Sequence, residues 1–89
     1  FRKVTALCEA HAVQIMPHSP YFGPGFLATL HLAQALPNPG LIERIFINPE
    51  ADFYAGGIYD PVDGVFGAPD GPGLGIEPDS DLIKTYRVN

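Results

Sequence analysis

Residues 12–43, AVQIMPHSPYFGPGFLATLHLAQALPNPGLIE, constrain the fold more than any other stretch of this chain. Residues 12–16 are apolar apart from Gln14 and read as a short strand, which Pro17 ends because it has no N–H to give a ladder. Residues 19–25 hold two prolines and two glycines around Tyr21 and Phe22, so they read as a loop carrying aromatic side chains. Residues 26–36 read as a helix in which only Thr29, His31 and Gln34 are polar. A helix apolar nearly all round is packed on more than one side. Pro37-Asn38-Pro39-Gly40 stops it. Residues 41–47 then read as a second strand, interrupted by Glu43 and Arg44. Strand, crossover helix and strand in this order make a parallel pair.

Residues 1–11 add a helix in front, with Phe1, Val4, Leu7 and Cys8 at helical spacing. Phe1-Arg2-Lys3-Val4 has no capping residue before it, and the chain reads as one that starts inside a helix. A parallel pair needs helices on its faces and strands at its edges. Two strands do not close a barrel, which takes roughly 250 residues. The 89 residues therefore read as α/β, one slice of a larger (β/α) barrel. Residues 48–63 are irregular. Asp63-Gly64 marks a turn, residues 65–67 a brief strand and residues 68–75 a Gly/Pro-dense turn. Ile76-Glu77 reads as extended. Pro78-Asp79-Ser80-Asp81 opens a short helix with carboxylates where the helix dipole favours them. The expected division is 1–47, the barrel end, and 48–89, an irregular C-terminal segment.

Composition removes several function classes. A net charge of −5 with five Lys and Arg excludes the basic patch that a nucleic-acid partner requires. No apolar run reaches the roughly 20 residues of a membrane span, and there is no signal-peptide pattern. The single cysteine, Cys8, rules out an internal disulfide and reads as a buried small hydrophobe. A reducing, cytoplasmic setting fits.

Two side chains stand out as candidates for chemistry. His18 follows the first strand, where barrel enzymes place acid/base groups, although a loop histidine satisfied by backbone is the plainer alternative. Glu43 lies within an apolar strand, where a carboxylate is costly if buried unpaired. It reads either as a group at a polar barrel mouth, or as a salt-bridge partner or a solvent-facing edge residue. His31 reads as a helix residue with a satisfied ring. The aspartates at 60, 63, 70, 79 and 81 lack calcium-loop spacing. Gly71-Pro72-Gly73-Leu74-Gly75 lacks the context of a phosphate cradle. No metal ligands are assigned.

Four features together resemble the mandelate racemase and muconate lactonizing enzyme branch of the enolase superfamily. They are the Pro17-His18-Ser19-Pro20 strand end, the 23–36 helix closing on Leu36-Pro37-Asn38, the Leu41-Ile42-Glu43 strand, and the tail APDGPGLGIE at 68–77. The tail is the most distinctive of the four. The resemblance implies the C-terminal portion of a modified TIM-type barrel, its last two strands and helices, followed by a segment returning to a capping domain. It implies an enzyme that abstracts a proton alpha to a carboxylate, with the enediolate held on Mg²⁺. An acid-sugar dehydratase or a racemase/epimerase is implied, acting on a sugar acid or another 2-substituted carboxylic acid. His18 matches the family's histidine at the seventh strand end, a general base or acid. Glu43 matches the eighth-strand carboxylic residue that hydrogen-bonds the substrate carboxylate. Tyr21 and Phe22 would line the substrate pocket, with simple packing as the equal alternative. The family's metal ligands, the aspartate that orients the histidine and the opposing lysine lie on strands that this chain does not contain. The expectation is a chain inactive by itself that forms homo-oligomers or self-associates. The alternative is a non-catalytic module that binds a partner through the apolar 26–36 helix.

Overall fold

In the computed structural model, the described residues are 1–19, 22–37, 39–45, 51, 54 and 60–88. They form three helices in the order α1 (Arg2–Ala10), α2 (Pro24–Gln34) and α3 (Ser80–Tyr86). The expected boundary at 47/48 lies outside the described residues.

Helix α2 organises the interior. Gly23 caps it with φ of 69° and Pro24 occupies its first turn, where a missing N–H costs nothing. Phe26, Leu27, Thr29, Leu30 and Ala33 are all buried along it. Phe22, Ile42, Phe66, Ala68, Leu74 and Ile76 pack against the cluster that Phe26, Leu27 and Leu30 form with Tyr54. Phe26 and Phe66 meet edge to face, with ring centroids 5.4 Å apart and planes at 81°. The expectation that this helix is packed on several sides holds. Phe26, Leu27, Leu30 and Ala33 are taken up in the core, which leaves Leu32 as the one large apolar side chain of α2 only partly covered for the partner-binding alternative.

His31 sits in the last turn of α2, and its Nε2–H donates to the Leu74 carbonyl oxygen at 3.0 Å. The ring is satisfied, as its place in an apolar helix required. The same bond ties the Gly/Pro-dense turn to the core helix.

The expected strands are reduced to single bridges among the described residues. Residues 41–45 of the expected second strand form no bridge, and residues 46 and 47 lie outside the described residues; the first segment instead meets Pro39, in one parallel bridge at Ile15. The physical reason is local. Pro17, Pro37 and Pro39 cannot donate, so the ladder loses N–H groups on both sides of the only pairing point. The turn at Asp63-Gly64 forms as expected. Both residues have positive φ, 51° and 76°, and Val62 and Val65 exchange both backbone hydrogen bonds across it. That is the type I′ geometry that Asp-Gly favours. The expected strand at 65–67 is confined to this bridge at Val65.

Helix α1 departs most from a packed element. Its apolar stripe, Phe1, Val4 and Leu7, is exposed, and Thr5 is its one buried residue. The Thr5 hydroxyl is satisfied within the helix, donating to the Phe1 carbonyl. Cys8 is half-buried rather than buried, because it borders the same uncovered face. Helix α3 buries nothing and is held by its cap, Asp79, whose carboxylate accepts from the N–H groups of Asp81 and Leu82. No helix among the described residues is long and apolar enough to cross a membrane.

Candidate active site

The close approach of the two parallel segments positions the site. A Cβ on Gly40 would lie 2.6 Å from the Ile15 carbonyl oxygen and 2.8 Å from Met16 Cγ. Only glycine lets the second segment pass so near the first. Three residues after Ile15 comes His18, and four after Pro39 comes Glu43. The single bridge therefore delivers both side chains to the same end of the pair.

There they touch. His18 Nδ1–H donates to Glu43 Oε2 at 2.5 Å, a short, charge-assisted hydrogen bond. The main-chain N–H of Ser19 donates to the same oxygen at 3.2 Å. His18 is 77% exposed at its side chain and Glu43 49%, so the pair stands on an open rim. With Nδ1 engaged, the imidazole presents its Nε2 lone pair outward. This is the tautomer that a base oriented by a carboxylate adopts. Of the alternatives raised for Glu43, the pairing with His18 and its half-exposed side chain match the salt-bridge and solvent-facing readings. Arg44, the next residue, pairs with Asp60 at 2.9 Å. Successive residues of an extended segment face opposite ways, which separates the two charges.

The other expected site residues are placed differently. Tyr21 lies outside the described residues. Phe22 is half-buried against the Phe26 cluster, and it lines an apolar hollow with Tyr54, Pro78 and Ile83. Burial raises the Tyr54 phenol above its usual range. A second hollow of about 330 Å³ lies beside Leu30, Gly40, Ile42 and Phe66. Its lining contains no titratable side chain, so the chemistry-bearing pair stands apart from it. Ser19 and Gly40 were missed as contributors. The signal for Ser19 was visible: in Pro17-His18-Ser19-Pro20, only His18 and Ser19 retain an N–H. That for Gly40 was its place directly after Pro39.

Among the described residues, no three His, Cys, Asp or Glu side chains converge. They offer no carboxylate cage for Mg²⁺.

One parallel bridge beside helix α2, with the His18–Glu43 pair near its end, fits a fragment of a TIM-barrel enzyme. Residues 1–82 match the family model described as enolase C-terminal domain-like. The chain belongs to that family. It is also 32% identical, over 96 aligned positions, to a D-galactarolactone cycloisomerase of Agrobacterium fabrum (strain C58 / ATCC 33970). That alignment takes in 98% of this chain and 25% of the relative, so the chain spans a quarter of the relative's length. No solved structure matches.

Proposed function

We propose that this chain forms the histidine-bearing wall of an active site that moves a proton alpha to a carboxylate. The observation that carries the reading is the 2.5 Å contact of His18 with Glu43 at adjacent segment ends. In the forward step the substrate C–H bond breaks and an N–H bond forms at His18 Nε2. The electron pair stays with the substrate as an enediolate, and the imidazolium is balanced by Glu43 across Nδ1. In the reverse step the same nitrogen returns the proton. Glu43 Oε1, which His18 and Ser19 leave open, is placed to accept from a substrate hydroxyl or carboxylic acid. The substrate class is a sugar acid or its lactone, which the cycloisomerase relative supports. Enolase-superfamily sites use a Lys or His base with Mg²⁺. In the parent protein the metal's ligands belong to segments beyond the residues described here. Tyr21 and Phe22 bordering the substrate, a cytoplasmic setting and a homo-oligomeric parent complete the proposal.

The test is solvent exchange. His18→Asn in the full-length protein is expected to lower deuterium incorporation at the alpha carbon by about 10²–10⁴-fold, the usual contribution of a general base. Unchanged exchange in a folded variant removes His18 from the mechanism. The 89-residue chain alone is expected to give no turnover. Measurable exchange by the isolated chain would overturn that expectation. A second reading, a non-catalytic module, now rests on the exposed stripe of α1 instead of on α2.

A further inference from the structure

The chain holds two Asp-Gly pairs, Asp63-Gly64 and Asp70-Gly71, and all four residues are exposed. In an Asp-Gly pair the side-chain carboxyl can close on the following main-chain nitrogen, because glycine has no Cβ to block the approach. The two pairs sit on different backbones. At Asp63-Gly64 both residues have positive φ, 51° and 76°, a left-handed conformation that costs aspartate more than glycine. Among the described residues, neither the Asp63 carboxylate nor the Gly64 N–H has a hydrogen-bond partner. A Cβ on Gly64 would meet nothing within 4 Å. The nucleophile is therefore unengaged, and the Gly64 peptide has room to turn. At Asp70-Gly71 the main chain is folded onto itself. A Cβ on Gly71 would lie 2.6 Å from the Gly75 carbonyl oxygen, and one on Gly75 would strike that of Pro69. The Gly75 N–H closes the turn on the Pro72 carbonyl, and the Leu74 carbonyl accepts from His31. The Gly71 peptide cannot rotate without driving into backbone that α2 holds in place. Asp79-Ser80, a third pair with a small following residue, keeps its carboxylate on the N–H groups of Asp81 and Leu82.

We infer that Asp63-Gly64 is a modification site of this protein, the place of spontaneous aspartyl isomerisation, and that the fold shields Asp70-Gly71 from the same reaction. The Gly64 nitrogen attacks Asp63 Cγ. A C–N bond forms, the C–OH bond of the protonated carboxyl breaks, and the hydroxyl leaves as water with the amide proton. The succinimide ring then takes up one water. Opening at the side-chain carbonyl restores aspartate. Opening at the main-chain carbonyl leaves an isoaspartyl linkage, with the same mass and no change of oxidation state. Because the leaving hydroxyl needs the carboxyl proton, mild acid favours closure. The isoaspartyl linkage routes the main chain through Cβ and Cγ and so lengthens a two-residue turn by a methylene. The register that lets Val62 and Val65 exchange both hydrogen bonds is then lost.

The experiment ages the full-length parent protein in mildly acidic buffer, both folded and in urea. Isoaspartate is mapped by peptide fragmentation and by methyl transfer from labelled S-adenosylmethionine with an isoaspartyl methyltransferase. In the folded protein it is expected at position 63 in about tenfold excess over position 70, which needs a barrier difference of only about 1.4 kcal/mol. In urea the two positions are expected to react alike, since each is then an aspartate before a glycine. Asp63→Glu, whose closure would need a larger ring, is expected to remove the label from that peptide. Equal or greater isoaspartate at 70 in the folded protein, or none at 63, overturns the inference. So does an excess at 63 that persists in urea, because the neighbouring residues and not the fold would then be its cause.

Discussion

At the residue scale, Gly40 and Ser19 border the candidate pair: Gly40 lets the backbone pass close to Ile15, and the Ser19 N–H donates to Glu43 Oε2. Gly40→Ala places a methyl group against the Ile15 carbonyl at 2.6 Å, and a backbone atom cannot step aside as a flexible side chain can. The variant is expected to lose about 1–3 kcal/mol, the usual cost of overpacking, measured as a lower urea midpoint. The His18–Glu43 contact should part with it, read by long-range ¹H–¹⁵N correlation of the His18 ring. Ser19→Ala has the opposite sign. Removing an unpaired buried hydroxyl is expected to raise stability, by up to about 1 kcal/mol, while leaving the main-chain donor in place. Both residues lie beside prolines, the one local signal they carry, and that signal is weaker than the residue types that made His18 and Glu43 legible. Protonatable side chains announce themselves by type. A glycine or serine acquires its role only from the backbone that passes beside it.

At the element scale, α2 and α3 are held by different physics. Leu30 is 2% exposed in the core of α2, and Leu30→Ala is expected to cost about 2–5 kcal/mol in an unfolding titration. Helix α3 has no buried residue, so its cap decides whether it forms. Asp79→Ala removes the acceptor for two N–H groups and is expected to cost about 0.5–2 kcal/mol of helix stability. The loss should appear as faster amide exchange at Leu82 and Ile83, with the Phe26 cluster unaffected. All three helices were readable from sequence, since periodicity, Pro37 and Asp79 are local signals. The strands were not readable to the same degree. A strand needs a neighbour to complete its ladder, and the prolines around residues 15 and 39 leave one bridge.

At the scale of the whole molecule, the chain is elongated, 47 × 25 × 24 Å, with a radius of gyration of 14.7 Å. A compact domain of this length would have a radius near 12 Å by the usual scaling, ~2.2·N^0.38 Å. The excess has a visible source in α1, which leaves Val4 and Leu7 more than half exposed, as are Val13 and Met16 beyond it. Exposed apolar faces of this kind promote association. Sedimentation of the isolated chain is expected to show concentration-dependent self-association that Leu7→Lys weakens; a monomer at all concentrations would count against it. Stability should also depend on alkaline pH through Tyr54. Its phenol titrates above the ordinary value in the folded chain, where it is 5% exposed, because burial disfavours the anion. Above about pH 10 the unfolded chain then binds fewer protons than the folded one, so stability falls as pH rises. Tyr54→Phe is expected to flatten that decline in pH-dependent melting.

The sequence by itself determined the helices, the Asp-Gly turn, the apolar identity of the core helix and the two side chains that carry candidate chemistry. These depend on interactions within a few residues, or on residue type alone. Only the tertiary structure decided that His18 and Glu43 meet through one oxygen, that the Ser19 N–H reaches the same oxygen, and that the stripe of α1 is left open. Those outcomes turn on how closely residues 15 and 40 approach. That distance is set by backbone packing across 24 intervening positions, and no local pattern encodes it.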